Sequence, residues 1–413
     1  MLSSAESMIM SAQASKPNIK VVQDSLLGAY RMTYGVQAMR KDQFFQICMA
    51  LDLTSNEILE RLKHNQKVLR KIGKWDPNVG CYTGHGLVSM ILPRTFNYEK
   101  KNDAHPDEPS VKVHQGVMHE GTIDKSIIGS AHHCILQLLH KEYGPEVAAL
   151  FVDGIQFTTN NWLLMRGFSV GIKDCIIPSH QKEKGQKISD TIQSCYMEAD
   201  EVKKTTTHKN IRELRVSGAL SKAKDVGLRI AKEALDPMNN FLSTVRSGSK
   251  GDFFNIAQIT GLLGQQNLRG ARVPLFLNHG KRSLPHYKFG ELTSAQEYES
   301  RGFIANSFIH GLNPREFYFH AMAAREGVSD TAMGTATSGY MQRRIVKLLE
   351  DVKVAYDGTV RDANNRVLQN MYGGDGYDPV HTVKVNGNQE AVDVGRLIDR
   401  LNMSDDSSDE DEE

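Results

Sequence analysis

The tightest constraint on this chain is a long stretch without proline. Asn313-Pro314-Arg315-Glu316 opens it, and the next proline is Pro379. Asn313 is a residue type that caps helices, Pro314 suits the first helical position, and Glu316 can close a capping box. The pattern predicts one continuous helix from Pro314 to about Asp351. At about 1.5 Å per residue it would run roughly 55 Å, far beyond the ordinary globular helix of about 11–12 residues. Asp357-Gly358 marks a turn after it.

The middle of this helix is unusual. Gly327, Gly334 and Gly339 interrupt it, each costing about 1 kcal/mol relative to alanine. Around them lie Ala323, Ala324, Thr331, Ala332, Thr335, Ala336 and Ser338. Thr331, Thr335 and Gly339 fall at i, i+4 and i+8, which makes a bare strip of small side chains along one face. Two readings follow. Small residues let another helix pack closely, and they also let a backbone approach a bulky flat object such as a base pair. Tyr340, Arg343, Arg344 and Lys347 come after the strip, and cations there suit phosphates.

The rest of the chain sets the context. Its 413 residues suffice for two or three domains with real cores. With 40% hydrophobic and 24% charged residues, the composition is that of a folded protein. No apolar run is long enough for a membrane span, and the N-terminus lacks the basic-then-apolar order of a secretory signal. The five cysteines have no C-x-x-C spacing, which argues for reduced thiols rather than a zinc site. Ser404–Glu413 holds seven acidic residues, so a formal net charge of +1 becomes +8 on residues 1–403. A moderately basic body suits polyanions, and the tail has nothing apolar to bury.

Periodicity gives a coarse element map. Asn56–Ile72 reads as an amphipathic helix, Gly80–Leu92 and Val111–Ile123 as strands with glycine turns, and Ser130–Tyr143 as a helix with His132 and His133 at its start. Those histidines read as satisfied or solvated rather than metal-binding. Residues 178–246 show two helical registers, Ile188, Ile192, Cys195 and Leu220, Ala223, Val226, Ile230, which together predict a helical hairpin. The overall expectation is a multi-domain α+β protein. No phosphate-binding loop, dinucleotide fingerprint, H-E-x-x-H or G-x-S-x-G is present. Asp375 and Asp378 in GGDGYDP read as a solvated glycine-rich turn. No self-sufficient catalytic constellation stands out.

Six segments, in order, resemble the largest subunit of multisubunit DNA-directed RNA polymerases, in its eukaryotic and large-DNA-virus branch. They are VQDSLLGAY (22–30), NWLLMRGFSVGIKD (161–174), SGSKGDFFNIAQITGLLGQQNLRG (247–270), RSLPHY (282–287), ESRGFIANSFIHGLNPREFYFHAMAAREG (299–327) and GYMQRRIVKLLEDVKVAYDGTVRD (339–362). The resemblance implies a pore region at 1–175, a funnel and substrate path at 176–313, a bridge helix at 314–351 and the start of a cleft region at 352–403, and composition adds a disordered acidic tail at 404–413.

It also implies roles. Thr331, Ala332, Thr335 and Ala336 would lie against the base pair at the growing RNA end, with Tyr340, Arg343 and Arg344 as further nucleic-acid contacts. Lys250, Asn255, Gln258, Gln265 and Gln266 would line the path by which nucleotides enter, and His320 and Glu326 the funnel floor. Ala323-Ala324 stands where the family usually has Gly-Gly, Gly334 where it has lysine, and Thr337 where it has an acidic residue. The metal-binding aspartate signature and the trigger loop are not in this sequence. The expected polypeptide is therefore inert alone, binds no catalytic Mg²⁺ or zinc by itself, and works with Mg²⁺ in an assembled enzyme. Its expected partners are the chain bearing the aspartate loop, the second-largest subunit, the trigger-loop segment, template DNA, nascent RNA and nucleoside triphosphates, with no membrane. Either the subunit is encoded in pieces or the chain is an excerpt of a longer gene product; the initiating Met and acidic end favour a split chain, and a split subunit with the wording YGGDGYDP suggests a large DNA virus, acting in host cytoplasm or virion, or else a nuclear enzyme. The alternative is a non-catalytic, polymerase-derived interaction protein.

Overall fold

The computed structural model describes residues 4–102, 108–177, 182–288, 290, 292–385, 388–392 and 394–405. The chain is α+β and forms two compact units that interleave along the sequence. The first holds residues 1–169, 243–250 and 353–413, and the second 170–242 and 251–352.

The first unit is built on α1 (Gln23–Thr33), α2 (Ser55–Ile72), α3 (Gly84–Ser89), a meander of β1 (Tyr98–Lys100), β2 (Val111–His114) and β3 (Val117–Glu120), then α4 (Ile135–Tyr143) and α5 (Pro145–Arg166). α2 begins at a capping box made by Thr54 and Glu57 and ends at Gly73, whose φ of 75° is a left-handed cap. Its buried stripe is Ile58, Asn65 and Val68. Gln115 and Gly116 both take positive φ in the turn between β2 and β3, as a two-residue hairpin of matching twist requires. Val111 and Val113 face inward and join Leu26, Met32, Phe44, Leu87, Phe96 and Phe151 in one core. The Thr33 hydroxyl donates to Ala29 O (2.7 Å) and accepts from Ile123 N (2.9 Å), tying α1 to the end of the meander. Residues 353–354, 360–361 and 367–369 add a small antiparallel sheet to this unit.

Two local expectations need correction. Gly80–Leu92 is not a strand: Gly84–Ser89 is helical, with Thr83 Oγ1 accepting from Gly86 N. The glycines there serve close approach. A Cβ on Gly84 would sit 1.9 Å from Met32 O, and one on Gly86 2.0 Å from Cys81 O. The helix expected from Ser130 starts only at Ile135, because His133 takes a φ of 58° and Cys134 becomes the cap.

The second unit contains the predicted hairpin, α6 (Lys182–Thr205) and α7 (Lys209–Ala234), followed by α8 (Phe253–Thr260), β4 (Gly264–Gln265), α9 (Ser294–Ser300), β5 (Phe303–Ile304) and α10 (Pro314–Leu349). Ile188, Ile192, Cys195 and Ala199 pack against Val216, Ala219, Leu220 and Ala223, with Leu262, Tyr298 and Phe303 completing the core. Val226 is partly buried beside them; the Ile230 side chain lies outside the described residues. β4 pairs antiparallel with β5. The acidic tail from residue 406 lies outside the described residues, whereas Ser404 and Asp405 close a helix that starts at Val394.

Candidate nucleic-acid interface

The long helix α10 is continuous, and none of its three internal glycines takes positive φ. Its first turn is fixed firmly. The Asn313 side chain accepts from Glu316 N, and Glu316 accepts from Asn313 N (3.0 Å). The Glu316 carboxylate is 3% exposed and also takes two bonds from Asn306 Nδ2, at 3.2 and 2.9 Å. Arg315 pairs with Glu299 at 3.1 Å and lies over the Tyr287 ring. Phe319 is buried and stacks on Tyr287 with centroids 6.4 Å apart. Burial and the neighbouring Glu299 push the Tyr287 hydroxyl well above its ordinary pKa.

Beyond this anchor the helix stands free of the described residues. Every residue from Gly327 to Leu349 is exposed. A Cβ added at Gly327, Gly334 or Gly339 would meet nothing within 4 Å. The close helix-on-helix contact that could explain the small strip is therefore not made by any described residue of its own unit. The threonine hydroxyls turn inward: Thr331 Oγ1 donates to Gly327 O and Thr335 Oγ1 to Thr331 O, both at 2.9 Å. That leaves an apolar, low-relief surface, and such back-bonding favours bending. Arg344 lies over the Tyr340 ring at 5.7 Å, and Arg343 is exposed with it.

The remaining expected residues divide. Gln265 is half-buried, and its Nε2 donates to Gln266 O and Arg301 O, each at 2.8 Å. Gln266 is buried, with its Oε1 3.3 Å from His320 Nδ1. Glu326 accepts from Arg269 N at 2.8 Å. Thus Gln266, His320 and Glu326 hold the N-terminal half of α10 against the segment after β4. Asn255 is exposed and Gln258 half-buried on α8. Lys250 is exposed and belongs to the first unit. The capping pattern marks Glu316, but nothing local in the sequence marks Asn306 or Glu299, nor the pairing of Arg315 with Glu299. Asp375 and Asp378 accept from Tyr377 N and Val380 N, as turn residues do. No three His, Cys, Asp or Glu side chains converge on a metal position among the described residues, and no described helix is long and apolar enough to cross a membrane.

Comparison with known proteins covers nearly the whole chain. Residues 8–175 match RNA polymerase Rpb1, domain 3; residues 180–304 match domain 4; residues 311–400 match domain 5. A probable DNA-directed RNA polymerase II subunit RPB1 homolog of Invertebrate iridescent virus 6 is 44% identical over 98% of this chain and 40% of its own length. The DNA-directed RNA polymerase II subunit RPB1-B of Trypanosoma brucei brucei is 33% identical over 89% of this chain and 20% of its own length. The chain thus spans well under half of each relative. With three consecutive domains matched in order and relatives of this identity, the chain belongs to the Rpb1 family of RNA polymerase largest subunits, as a segment carrying domains 3, 4 and 5.

Proposed function

We propose that this segment serves a DNA-directed RNA polymerase by laying α10 along the path of the nucleic acid. Thr331, Ala332, Thr335 and Ala336 meet the base pair at the growing RNA end, and Tyr340, Arg343 and Arg344 contact nucleic acid beyond it. Asn255, Gln258, Gln265 and Gln266 of the second unit line the approach of nucleotides, and Lys250 of the first unit is a cation for nucleotide or leaving pyrophosphate. His320 and Glu326 form the funnel floor. The observation that carries this reading is the bare strip itself: 36 residues of helix, fixed at one end and uncovered from Gly327 onward.

The chain's own part is positioning. An apolar strip of small side chains admits a flat base pair without competing for its hydrogen bonds, and the adjacent guanidiniums suit phosphates. Among the described residues, no carboxylates converge to fit a two-metal centre. The carboxylates that nucleotidyl transfer requires are assigned to another chain or segment, and the isolated polypeptide is inert on a primed template. Partners on this reading are other polymerase subunits, DNA, RNA and nucleoside triphosphates. The test is Thr335→Trp in a reconstituted polymerase. Nucleotide addition slows by about 100-fold or more, since a misplacement near 1 Å costs about that much, while Thr335→Ser elongates normally. Wild-type elongation by Thr335→Trp would assign the strip to a protein partner instead.

A further inference from the structure

We propose that the first unit docks a basic amphipathic helix of a partner protein along α5, over a cavity of about 630 Å³. The proposal does not depend on the polymerase reading. Leu51, Met90, Ile91, Leu150 and Phe157 give the cavity an apolar lining. Ala148, Phe151 and Ile155 of α5 turn into the core, so the opposite face of the helix points away from it. On that face Leu150, Phe157 and Leu164 are 58%, 52% and 84% exposed. They recur every seven residues, the spacing that a second helix meets when it lies along the first. Gly154 is buried between them and brings no side chain into the space; a Cβ there would come within 2.7 Å of Ile91 Cγ2.

Charge selects the occupant. Asp52 and Asp153 line the cavity and are exposed, and neither carboxylate has a partner among the described residues. The lining cation, Arg61, is turned inward, its Nη1 donating to Met90 O and Leu92 O at 2.9 Å each. Beside it Arg94 pairs with Glu60 at 3.0 Å, and Glu57 attracts both guanidiniums. Lys141 and Glu142 precede Tyr143 of the lining and cancel in formal charge, while the exposed Glu146 precedes Val147. Every residue that flanks a lining residue in sequence is described. The surplus is acidic. An apolar floor with carboxylates at its rim disfavours anions and suits a segment that carries leucine or aromatic side chains on one face and lysine or arginine beside them. The volume alone would also admit a small molecule. Leu164, however, continues the stripe about 10 Å past Phe157 at about 1.5 Å per residue, and a small molecule in the cavity would leave it bare.

The experiment titrates the full chain with a labelled three-heptad helical peptide, leucine at a and d and lysine at e and g, and with the same peptide bearing glutamate for lysine, read by fluorescence anisotropy. Wild type is compared with Phe157→Ala, Leu164→Ala and the double variant Asp52→Asn/Asp153→Asn. All four side chains are exposed, and circular dichroism establishes that each variant folds. Saturable binding of the lysine peptide is expected, at least tenfold tighter than of the glutamate peptide. Phe157→Ala weakens it about tenfold, as for an interface anchor, Leu164→Ala about threefold or more, and the double variant about fivefold. The proposal is overturned if the wild type binds neither peptide or both alike. It is overturned as well if affinity survives all three variants, which would place the peptide elsewhere, for instance on the acidic residues 404–413. Two results would replace the occupant. Self-association in sedimentation velocity that Phe157→Ala abolishes assigns the face to a second copy. Displacement of the peptide by 4-phenylbutylamine, with Leu164→Ala at wild-type affinity, assigns the cavity to a small cationic molecule.

Discussion

Replacing Glu316 with alanine should release the base of the long helix. The carboxylate is almost wholly enclosed and accepts three hydrogen bonds, two from Asn306 Nδ2 and one from Asn313 N. Bonds to a charged acceptor are worth about 1.5–3 kcal/mol each, and a buried donor left unpaired costs a similar amount. Removing one carboxylate also relieves its own desolvation, so the contributions do not simply add. A net loss of about 3 kcal/mol is the reasonable figure, which is roughly a 150-fold rise in the local opening equilibrium. Hydrogen–deuterium exchange followed by mass spectrometry reads this directly in peptides covering residues 314–326. Glu316→Gln keeps the shape and one acceptor without the charge, and should raise exchange only about tenfold. Protection within threefold of wild type in Glu316→Ala would refute the reasoning, because the capping pair Asn313–Glu316 would then contribute nothing that the Phe319–Tyr287 contact does not already supply.

Three other outcomes follow. Gly84→Ala should destabilise the first unit by about 3 kcal/mol or more in chemical denaturation, since the added carbon meets backbone that cannot yield; a change under about 1 kcal/mol would contradict the close approach. Gly334→Ala meets nothing and should stabilise α10 by about 1 kcal/mol, read as slower local exchange; faster exchange would show strain there. Burial lowers the pKa of His85, with His119 assisting and the bond to Gly121 O opposing. A histidine held neutral contributes stability fully present above the unfolded value of about 6.5 and lost as pH falls below it. Nuclear magnetic resonance titration should therefore place His85 below 6.5, and a value above that would reverse the expected acid sensitivity.

Much of the architecture was legible where local chemistry and fold agree. Asn313, Pro314 and Glu316 announce α10 because capping needs only neighbours in sequence. Ile188, Ile192 and Cys195 announce the hairpin because helical spacing shows directly. Gly80–Leu92 misled because its glycines serve contacts with Met32 and Cys81, and such contacts leave no periodic trace. His133 ended a helix early through its backbone angle, which side-chain identity does not signal. At the candidate interface, the small strip could be read from composition, but its lack of cover within its own unit could not. The Asn306–Glu316 bond joins a loop to a helix cap through space, and neither residue alone indicates it.

The interleaving of the two units has a consequence for synthesis. Residues 353–385 belong with a body whose first 169 residues leave the ribosome long before them. At about 5–20 residues per second, making residues 170–352 takes on the order of 10–40 s. The earlier core of Leu26, Phe44, Phe96 and Phe151 can close within that interval, since all its buried members lie between Ile9 and Trp162 and only the partly buried Val380 comes later. The seam to the late segment cannot: Ser15, whose hydroxyl meets Pro379 O and Thr382 Oγ1, stays without those two partners until residues 379–382 are made. The nascent chain therefore passes through a state with its heart formed and its seam open, which is the interval in which a chaperone would find it.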